Sequence, residues 1–237
     1  MTFLVLTVHN EVLLDLPQRE ADLILPQLEH IDMKPGQILH QPGDRLKSAY
    51  FINGGLISIL SALPNGKSVA VAMVGKQGFI GLPLLAGFRS ASTRAVVTVE
   101  ASVLRISVDV LLPLLELRQT LFRLLTRFNQ ILAMEIAQLS GCNRFHDGQH
   151  RLARYLLMSA DRTGSNQLPL TQEVLADLLG TRRSSVTVAA GALEHEGLIA
   201  LTRANIEIVS REGLEQACCV CYEQMRKRAT EWCKNSE

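Results

Sequence analysis

Residues 170–199 read LTQEVLADLLGTRRSSVTVAAGALEHEGLI, and this stretch decides how the rest of the chain is interpreted. Thr171 is a good N-cap for a helix whose apolar residues recur at helical spacing. Gly180 ends that helix, because glycine adopts the left-handed C-terminal geometry at little cost. We expect Thr181 to cap a second helix, over about residues 182–196, with an apolar stripe at Val186, Ala189, Ala190 and Leu193. Two helices joined so closely must cross steeply, and the spacing of Ala176, Gly180 and Val186 predicts a helix-turn-helix.

The opposite face of the second helix predicts contact with DNA. Arg183, Ser184, Thr187 and Gly191 lie on this face, and their side chains are short or cationic. Arginine can hold guanine O6 and N7 with two hydrogen bonds, and hydroxyl groups can bind phosphate oxygens. The alternative is an ordinary helical hairpin whose arginines are only solvated.

Length and composition limit the class of protein. A chain of 237 residues usually forms two domains. Its net charge is only +1, so any DNA binding must come from a local basic patch. The apolar opening lacks the basic region and cleavage site of a signal peptide, and no apolar run approaches membrane-spanning length. The five cysteines are an odd number and form no disulfide framework, so we expect a cytoplasmic protein with no membrane partner.

Between Ile31 and Ser107, short β-rich segments alternate with turn residues. The turns are marked by Pro35-Gly36, Pro42-Gly43-Asp44, Asn53-Gly54-Gly55, Pro64-Asn65-Gly66 and Gly75. Several of the intervening segments alternate with period two. This rhythm predicts an antiparallel β jelly roll. With helices after it, the predicted fold class is α+β.

A helical period begins at Leu111 and continues to about Leu139, which predicts a long dimerisation helix. Its heptad a and d positions are Phe122, Leu125, Asn129, Leu132, Ile136 and Leu139. An asparagine at a buried a position favours a parallel, in-register pair, because a partner asparagine can satisfy it. A second stripe, Leu121, Leu124, Phe128 and Ile131, is expected to pack on the chain's own β domain. The alternative is a single helix that covers the β domain without a partner.

The residues after this helix predict a winged domain. Asp147 is a good N-cap for a further helix over His150 to Ser159, and residues 161–166 form a loop before the helix-turn-helix. Residues 198–202 (LIALT) and 206–210 (IEIVS), with a turn at 203–205, predict a β-hairpin wing. An amphipathic helix is expected from Glu212, with one side formed by Leu214, Cys218, Cys221, Tyr222 and Met225.

This order of parts resembles the Crp/Fnr superfamily of bacterial transcription regulators. In the β domain, PGQIL, PGD, YFINGG and GFIGLPLL look like the family's cyclic-nucleotide-binding-like fold. The resemblance implies a sensor domain over residues 1–110, a dimerisation helix over 111–146 and a winged helix-turn-helix domain over 147–237, with Asp147 at the hinge. It implies a homodimer that binds promoter DNA with its second helix in the major groove, with RNA polymerase as a further partner.

The resemblance also assigns residues toward DNA. Arg183 matches the family's base-reading arginine and Ser185 a phosphate-contacting hydroxyl, whereas Ser184 stands where many members have a glutamate. The preferred DNA sequence is therefore expected to differ from the well-known family palindromes. The candidate DNA-contacting residues are Thr171, Arg182, Arg183, Ser184, Ser185, Thr187 and Arg203.

The best-known effector of the family, cyclic AMP, is not expected here. Members that bind it carry a Gly-Glu pair for the ribose hydroxyl, and the matching pair is Gly78-Phe79. Arg89-Ser90 resembles the phosphate-binding pair under one alignment of the loop. Phe79, Arg89 and Ser90 therefore mark a candidate effector pocket whose ligand is unspecified. A cyclic-nucleotide-responsive regulator is the alternative.

The hypotheses of a metal site and of a catalytic site have less support from the sequence than DNA binding has. Cys142, His146 and His150 are four residues apart, but Asp147-Gly148 is expected to break the helix that would align them. The pair Cys218 and Cys221 lacks a second ligand pair at zinc-site spacing, so we expect core cysteines, no metal and no cofactor. A metal-dependent jelly-roll enzyme would need clustered histidines, and the β region has only His40. We therefore expect no catalytic residues and no enzyme.

Overall fold

The computed structural model describes residues 7–63 and 66–234, with side chains described as far as Lys227. The apolar opening at residues 1–6 and Pro64-Asn65 of the predicted turn lie outside the described residues. The chain forms two compact units. One comprises residues 1–57 with 74–129, and the other comprises residues 58–73 with 130–237.

An antiparallel β sheet is built from the region where the sequence predicts short strands. Its strands are β1 (Glu29–Met33), β2 (Ile38–His40), β3 (Ser48–Ala62), β4 (Ser68–Val74), β5 (Phe79–Ile80) and β6 (Arg94–Ser107). The sheet order is β1-β6-β3-β4, while β2 pairs with β6 and β5 pairs with β3. In the β1–β6 pair, Glu29 lies opposite Arg105 and Met33 opposite Ala101. The predicted antiparallel β domain, and with it the α+β fold class, is confirmed.

Aromatic packing and one buried asparagine hold the first unit together. The rings of Phe51 and Phe79 are both fully buried, with centroids 4.8 Å apart. Asn10 caps the short helix α1 (Glu11–Leu14), and its Nδ2 donates to the carbonyl oxygens of Ile52 and Gly78, each at 2.8 Å. A second short helix, α2 (Gln18–Ile24), follows. Buried polar groups paired in this way avoid a desolvation penalty of about 1–3 kcal/mol each.

The predicted long helix is two helices, α3 (Val108–Leu117) and α4 (Gln119–Phe145). Ser107 caps α3 by accepting a hydrogen bond from Val110 N at 3.3 Å. Arg118 separates the two helices, because its φ of −121° and ψ of 91° are extended. Helical periodicity did not reveal this single extended residue.

The predicted dimer seam divides between two faces of α4. Leu125, Leu132 and Leu139 are buried within the single chain. Phe122 is 41% exposed, Asn129 is exposed and Ile136 is half-buried. The three leucines are therefore already covered inside the protomer, whereas the other three seam positions lie on a more open face. Of the second predicted stripe, Leu121 and Phe128 are buried, and Leu124 and Ile131 are half-buried.

The second unit contains the predicted winged domain. Its elements are α5 (Gly148–Thr163), β7 (Gln167–Leu168), α6 (Gln172–Leu179), α7 (Arg183–His195), β8 (Ile199–Leu201), β9 (Ile206–Ile208), α8 (Arg211–Gln216) and α9 (Cys221–Lys234). A small antiparallel sheet has the order β7-β9-β8, and β7 was not predicted. Arg162 of α5 forms two hydrogen bonds with the Glu135 carboxylate of α4, at 2.8 and 2.7 Å.

The predicted C-terminal helix is also divided, into α8 and α9. Because α8 ends at Gln216, the residues that follow leave the expected helical register. Cys219 is buried as a result, and Cys218 is only half-buried, so the expected placement of Cys218 in the core is wrong. None of the described helices is both long and apolar enough to cross a membrane.

Candidate nucleic-acid interface

The two helices of the helix-turn-helix, α6 and α7, begin and end at the residues that their sequence signals indicate, with one exception. Thr171 Oγ1 accepts a hydrogen bond from Val174 N at 3.2 Å, which caps α6. Gly180 ends α6 in the left-handed conformation, at φ 61° and ψ 40°. The exception is Thr181, whose amide donates to Ala176 O at 3.0 Å within the turn. The N-cap of α7 is therefore Arg182, which makes no side-chain cap hydrogen bond.

Apolar contacts fix how the two helices pack. Val186, Ala190 and Leu193 of α7 are buried, as are Leu175 and Ala176 of α6. This small, buried surface is the reason that two short helices remain in a fixed orientation, since neither is long enough to be stable alone. The opposite face of α7 is left for solvent or for a ligand.

The predicted DNA-contacting residues of α7 all lie on its exposed face. Arg182, Arg183, Ser184, Ser185 and Thr187 are exposed, and they occupy the cap and the first turn and a half of the helix. Among the side chains that the structure describes, which end at Lys227, no carboxylate lies within ion-pair distance of Arg182 or Arg183. Both guanidinium groups are therefore available to an anionic ligand at a helix N-terminus, where the backbone dipole also favours anions.

Ser184 and Ser185 line an open groove between α7 and the start of α5. The groove has a volume of about 420 Å³, and Asp147, Gly148 and Val188 also line it. Asp147 caps α5 by accepting a hydrogen bond from His150 N at 3.0 Å. Hydrogen bonds from the backbone and the ring of His150 hold the pKa of the Asp147 carboxyl below its usual value. The Asp147 carboxylate therefore contributes a negative charge to the lining of this groove.

Thr187 connects the two helices. Its Oγ1 donates a hydrogen bond to Gln172 Oε1 at 2.7 Å and lies 3.1 Å from Arg183 O. Gln172 was missed by the sequence analysis, although its position directly after the Thr171 cap places it on the first turn of α6. The hydroxyl of Thr187 is thus engaged within the protein, so it positions α7 as well as facing outward.

The β8–β9 hairpin forms the predicted wing. Ile199 lies opposite Ile208 and Leu201 opposite Ile206, and the amide of Thr202 donates to Asn205 O at 2.9 Å to close the turn. Arg203 is exposed at the tip of this turn. The wing is joined to α7 because Leu201 N donates to Glu194 Oε1 at 2.9 Å.

The candidate effector residues lie in different environments. Phe79 is fully buried against Phe51, so it belongs to the core of the β domain. Arg89 and Ser90 are exposed, on a segment where Ser90 bridges to Arg45. Leu46 N donates to Arg89 O at 2.8 Å, which ties the same two segments together.

Comparisons with protein families and relatives agree with this organisation. Residues 30–118 match the family model of the cyclic nucleotide-binding domain, and residues 150–217 match that of the Crp-like helix-turn-helix domain. The chain is 27% identical over 202 residues to a "CRP-like cAMP-activated global transcriptional regulator" of Mycobacterium tuberculosis, a match that covers 79% of this chain and 87% of the relative.

Solved structures share the fold. A c-di-GMP-responsive global regulator of Xanthomonas campestris aligns with a TM-score of 0.68 at 15% identity, covering 81% of this chain and 99% of that one. A CRP-family transcriptional regulator from Thermus thermophilus aligns with a TM-score of 0.68 at 20% identity, covering 79% and 95% of the two chains. At these identities the likeness concerns the fold alone.

Proposed function

The chain belongs to the Crp/Fnr family of transcription regulators, and we propose that it binds specific promoter sequences by inserting α7 into the major groove. Regulators of this family bind DNA and are not enzymes. The observation that carries this proposal is the exposed start of α7, where the N-cap Arg182 and the first residue Arg183 have no ion-pair partner among the described side chains. Arg183 is assigned to a base edge, and Arg182 and Ser185 are assigned to phosphates. Arg203 at the tip of the wing is assigned to the flanking backbone.

A homodimer is the proposed working form. Phe122, Asn129 and Ile136 follow one another at seven-residue intervals along the more open face of α4, and the small residue Ala133 is exposed beside them. A parallel pair of α4 helices would bury this face and bring the two asparagines together. The two α7 helices of such a dimer would read half-sites about one turn of DNA, roughly 34 Å, apart.

We propose that the β domain regulates DNA binding without cyclic AMP. Phe79 occupies the matching position of the ribose-binding carboxylate, and it is fully buried against Phe51. A ribose hydroxyl at this position would meet an aromatic ring, and an unmade hydrogen bond in a dry pocket costs about 1–3 kcal/mol. Of the candidate effector residues Phe79, Arg89 and Ser90, we retain the exposed Arg89 and Ser90 as proposed effector contacts, whereas Phe79 belongs to the core.

A cyclic-nucleotide-responsive regulator is the second candidate. It is favoured by the match of residues 30–118 to the cyclic nucleotide-binding domain and by the name of the mycobacterial relative.

The domain assignment that we propose is 1–110 for the sensor, 111–146 for dimerisation and 147–237 for DNA binding. The capping of α5 by Asp147 supports the second boundary. RNA polymerase is the proposed further partner at promoters.

Selection of bound genomic fragments, followed by mobility-shift titration, tests the proposed function. We expect enrichment of a two-fold symmetric site and a clear preference for it over random DNA. The Arg183→Ala variant should lose that preference. Arg19→Ala, which removes an exposed arginine of α2, is the control and should retain it. Equal binding of wild type to selected and random DNA would contradict sequence-specific regulation.

A further inference from the structure

Four potential metal ligands meet in the second unit, outside the DNA-binding face. Cys142 lies in the last turn of α4, and His146 follows the end of this helix directly, with its amide donating to Cys142 O at 3.1 Å. Cys221 is the first residue of α9, and Cys219 lies two residues before it. One ligand atom of each residue lies within 4.8 Å of the ligand atoms of the other three. The three cysteines are buried and His146 is half-buried. We call these four residues the thiol–imidazole cluster.

Two distances between ligand atoms match those around a single tetrahedral ion. Cys142 Sγ lies 3.6 Å from Cys219 Sγ, and Cys221 Sγ lies 3.7 Å from His146 Nδ1. A zinc ion with Zn–S bonds of 2.3 Å and Zn–N bonds of 2.0–2.1 Å separates two sulfurs by about 3.8 Å and a sulfur from a nitrogen by about 3.6 Å. An iron–sulfur cluster contains several irons and sulfides, so it would hold its protein ligands farther apart.

The groups around the cluster suit thiolates. Gln138 Nε2 donates to Cys221 Sγ at 3.2 Å, as a neighbour that orients a metal-binding sulfur would do. Arg154 is only 3% exposed, its Nε has no hydrogen-bond partner among the described residues, and its Nη1 reaches only Met158 Sδ. The guanidinium of Arg154 lies close enough to Cys142 to interact with it electrostatically. Three thiolates and one divalent ion have a net charge of −1, which a buried arginine would balance.

We propose that Cys142, His146, Cys219 and Cys221 bind one zinc ion in each protomer. On binding, the three thiols release their protons to water and the imidazole binds through Nδ1. Four protein ligands leave no open position, so the site is structural and not catalytic. It would join the end of α4 to the segment between α8 and α9, next to the Asp147 cap that begins the DNA-binding domain.

The sequence pattern separates these ligands into two pairs that are far apart in the chain. Cys142 and His146 have the four-residue helical spacing, but the second pair is Cys219 and Cys221, with one residue between them. Spacing alone had grouped Cys142 with His146 and His150, and Cys218 with Cys221. In the structure the His150 ring contacts Asp147 at 2.8 Å, and Cys218 Sγ faces the carbonyl oxygen of His150 at 4.0 Å. These four ligands are proposed in place of the expected absence of a metal.

The test uses the full-length protein, purified without chelators and analysed for bound metal. We expect one zinc per protomer, and replacement with Co²⁺ should give the absorption bands of a tetrahedral cobalt thiolate. Cys142→Ser and Cys221→Ser should each weaken Co²⁺ binding by about tenfold or more. Cys218→Ser is the matched control, because it removes an adjacent thiol that lies outside the cluster, and it should bind cobalt as wild type does.

The outcomes separate the proposal from its alternatives. Circular dichroism of each variant without metal shows whether it is folded, and only folded variants are compared. Wild-type protein that stays metal-free after incubation with excess Zn²⁺ would overturn the proposal. Three other results would also overturn it. The Co²⁺ protein could show an octahedral spectrum, or the Cys142→Ser/Cys221→Ser double variant could bind as much metal as wild type. The third is a Cys142–Cys219 disulfide in protein purified under reducing conditions.

Discussion

Thr187 Oγ1 on α7 donates a hydrogen bond to Gln172 Oε1 on α6 at 2.7 Å. This contact joins the first turn of α6 to the part of α7 that carries Arg183. A side chain on the proposed DNA-binding face of α7 is thus held in place by the neighbouring helix. The orientation of α7 in a groove depends on both residues.

We expect Thr187→Val and Gln172→Ala each to weaken binding to the specific site by about 2- to 10-fold, because one neutral hydrogen bond contributes about 0.5–1.5 kcal/mol. The double variant should be no weaker than either single variant, since both remove the same bond. Mobility-shift titrations of the four proteins measure this coupling. Additive losses would show that Thr187 and Gln172 act separately.

Loss of Arg183 should affect specificity more than overall affinity. Arg183→Ala is expected to cost about 1–3 kcal/mol on the specific site and to relax the preference at one base position. Arg182→Ala and Arg203→Ala should weaken all sequences alike and reduce the salt dependence of binding. Titrations at several salt concentrations distinguish the two classes. A uniform loss in Arg183→Ala would place this arginine on phosphate.

Asn129 is expected to set the register of the α4 pair. Asn129→Leu should raise the thermal stability of the dimer and permit other oligomers, because a polar constraint on the seam is removed. Leu125→Ala is the contrasting variant. Leu125 is fully buried within the protomer, so its loss should lower the stability of the protomer by about 2–5 kcal/mol. Sedimentation of Asn129→Leu as a monomer would contradict this seam.

Calorimetric titration of the wild-type protein with cyclic AMP and cyclic GMP should show no binding at micromolar concentration. Phe79 offers no acceptor for the ribose hydroxyl, and one arginine contact alone rarely gives such affinity. Phe79→Glu tests the same position, although the loss of the buried ring against Phe51 should also lower stability. Phe79→Leu controls for that loss. Micromolar binding by wild type that raises affinity for the promoter would support the cyclic-nucleotide alternative.

His40 should make the protein sensitive to mild acid. Burial lowers the pKa of His40, against a raising attraction from Asp44, and His40 Nδ1 has no hydrogen-bond partner among the described residues. Because the folded-state pKa lies below the unfolded value of about 6.5, unfolding takes up a proton as pH falls through this range. Stability is therefore full above the unfolded pKa and declines below it. Urea denaturation at pH 7.5 and 5.5 should show a smaller acid loss in His40→Gln than in wild type.

The fold followed from the sequence where a local signal decides the structure. Thr171, Gly180 and Asp147 act as caps because their chemistry permits few alternatives. Thr181 failed as a cap because it lies within the turn between the helices.

Residues whose role depends on distant parts of the chain were harder to predict. Leu125 and Phe122 are equally apolar, and only the folded chain shows that Leu125 is buried and Phe122 is partly exposed. The meeting of Cys142 with Cys219 could not be predicted, because their 3.6 Å contact depends on how α4, α8 and α9 pack together.

The hydrogen bond from Leu201 N to Glu194 Oε1 has a consequence for engineering. It links the orientation of the β8–β9 wing to α7, the helix whose exposed residues would be changed to recognise another DNA sequence. Exposed positions such as Ser184 and Val188 can be randomised without touching that coupling. A library that also varied Glu194 would alter both α7 and the position of the wing. A change in DNA preference among the selected variants could then come from new base contacts or from a displaced wing.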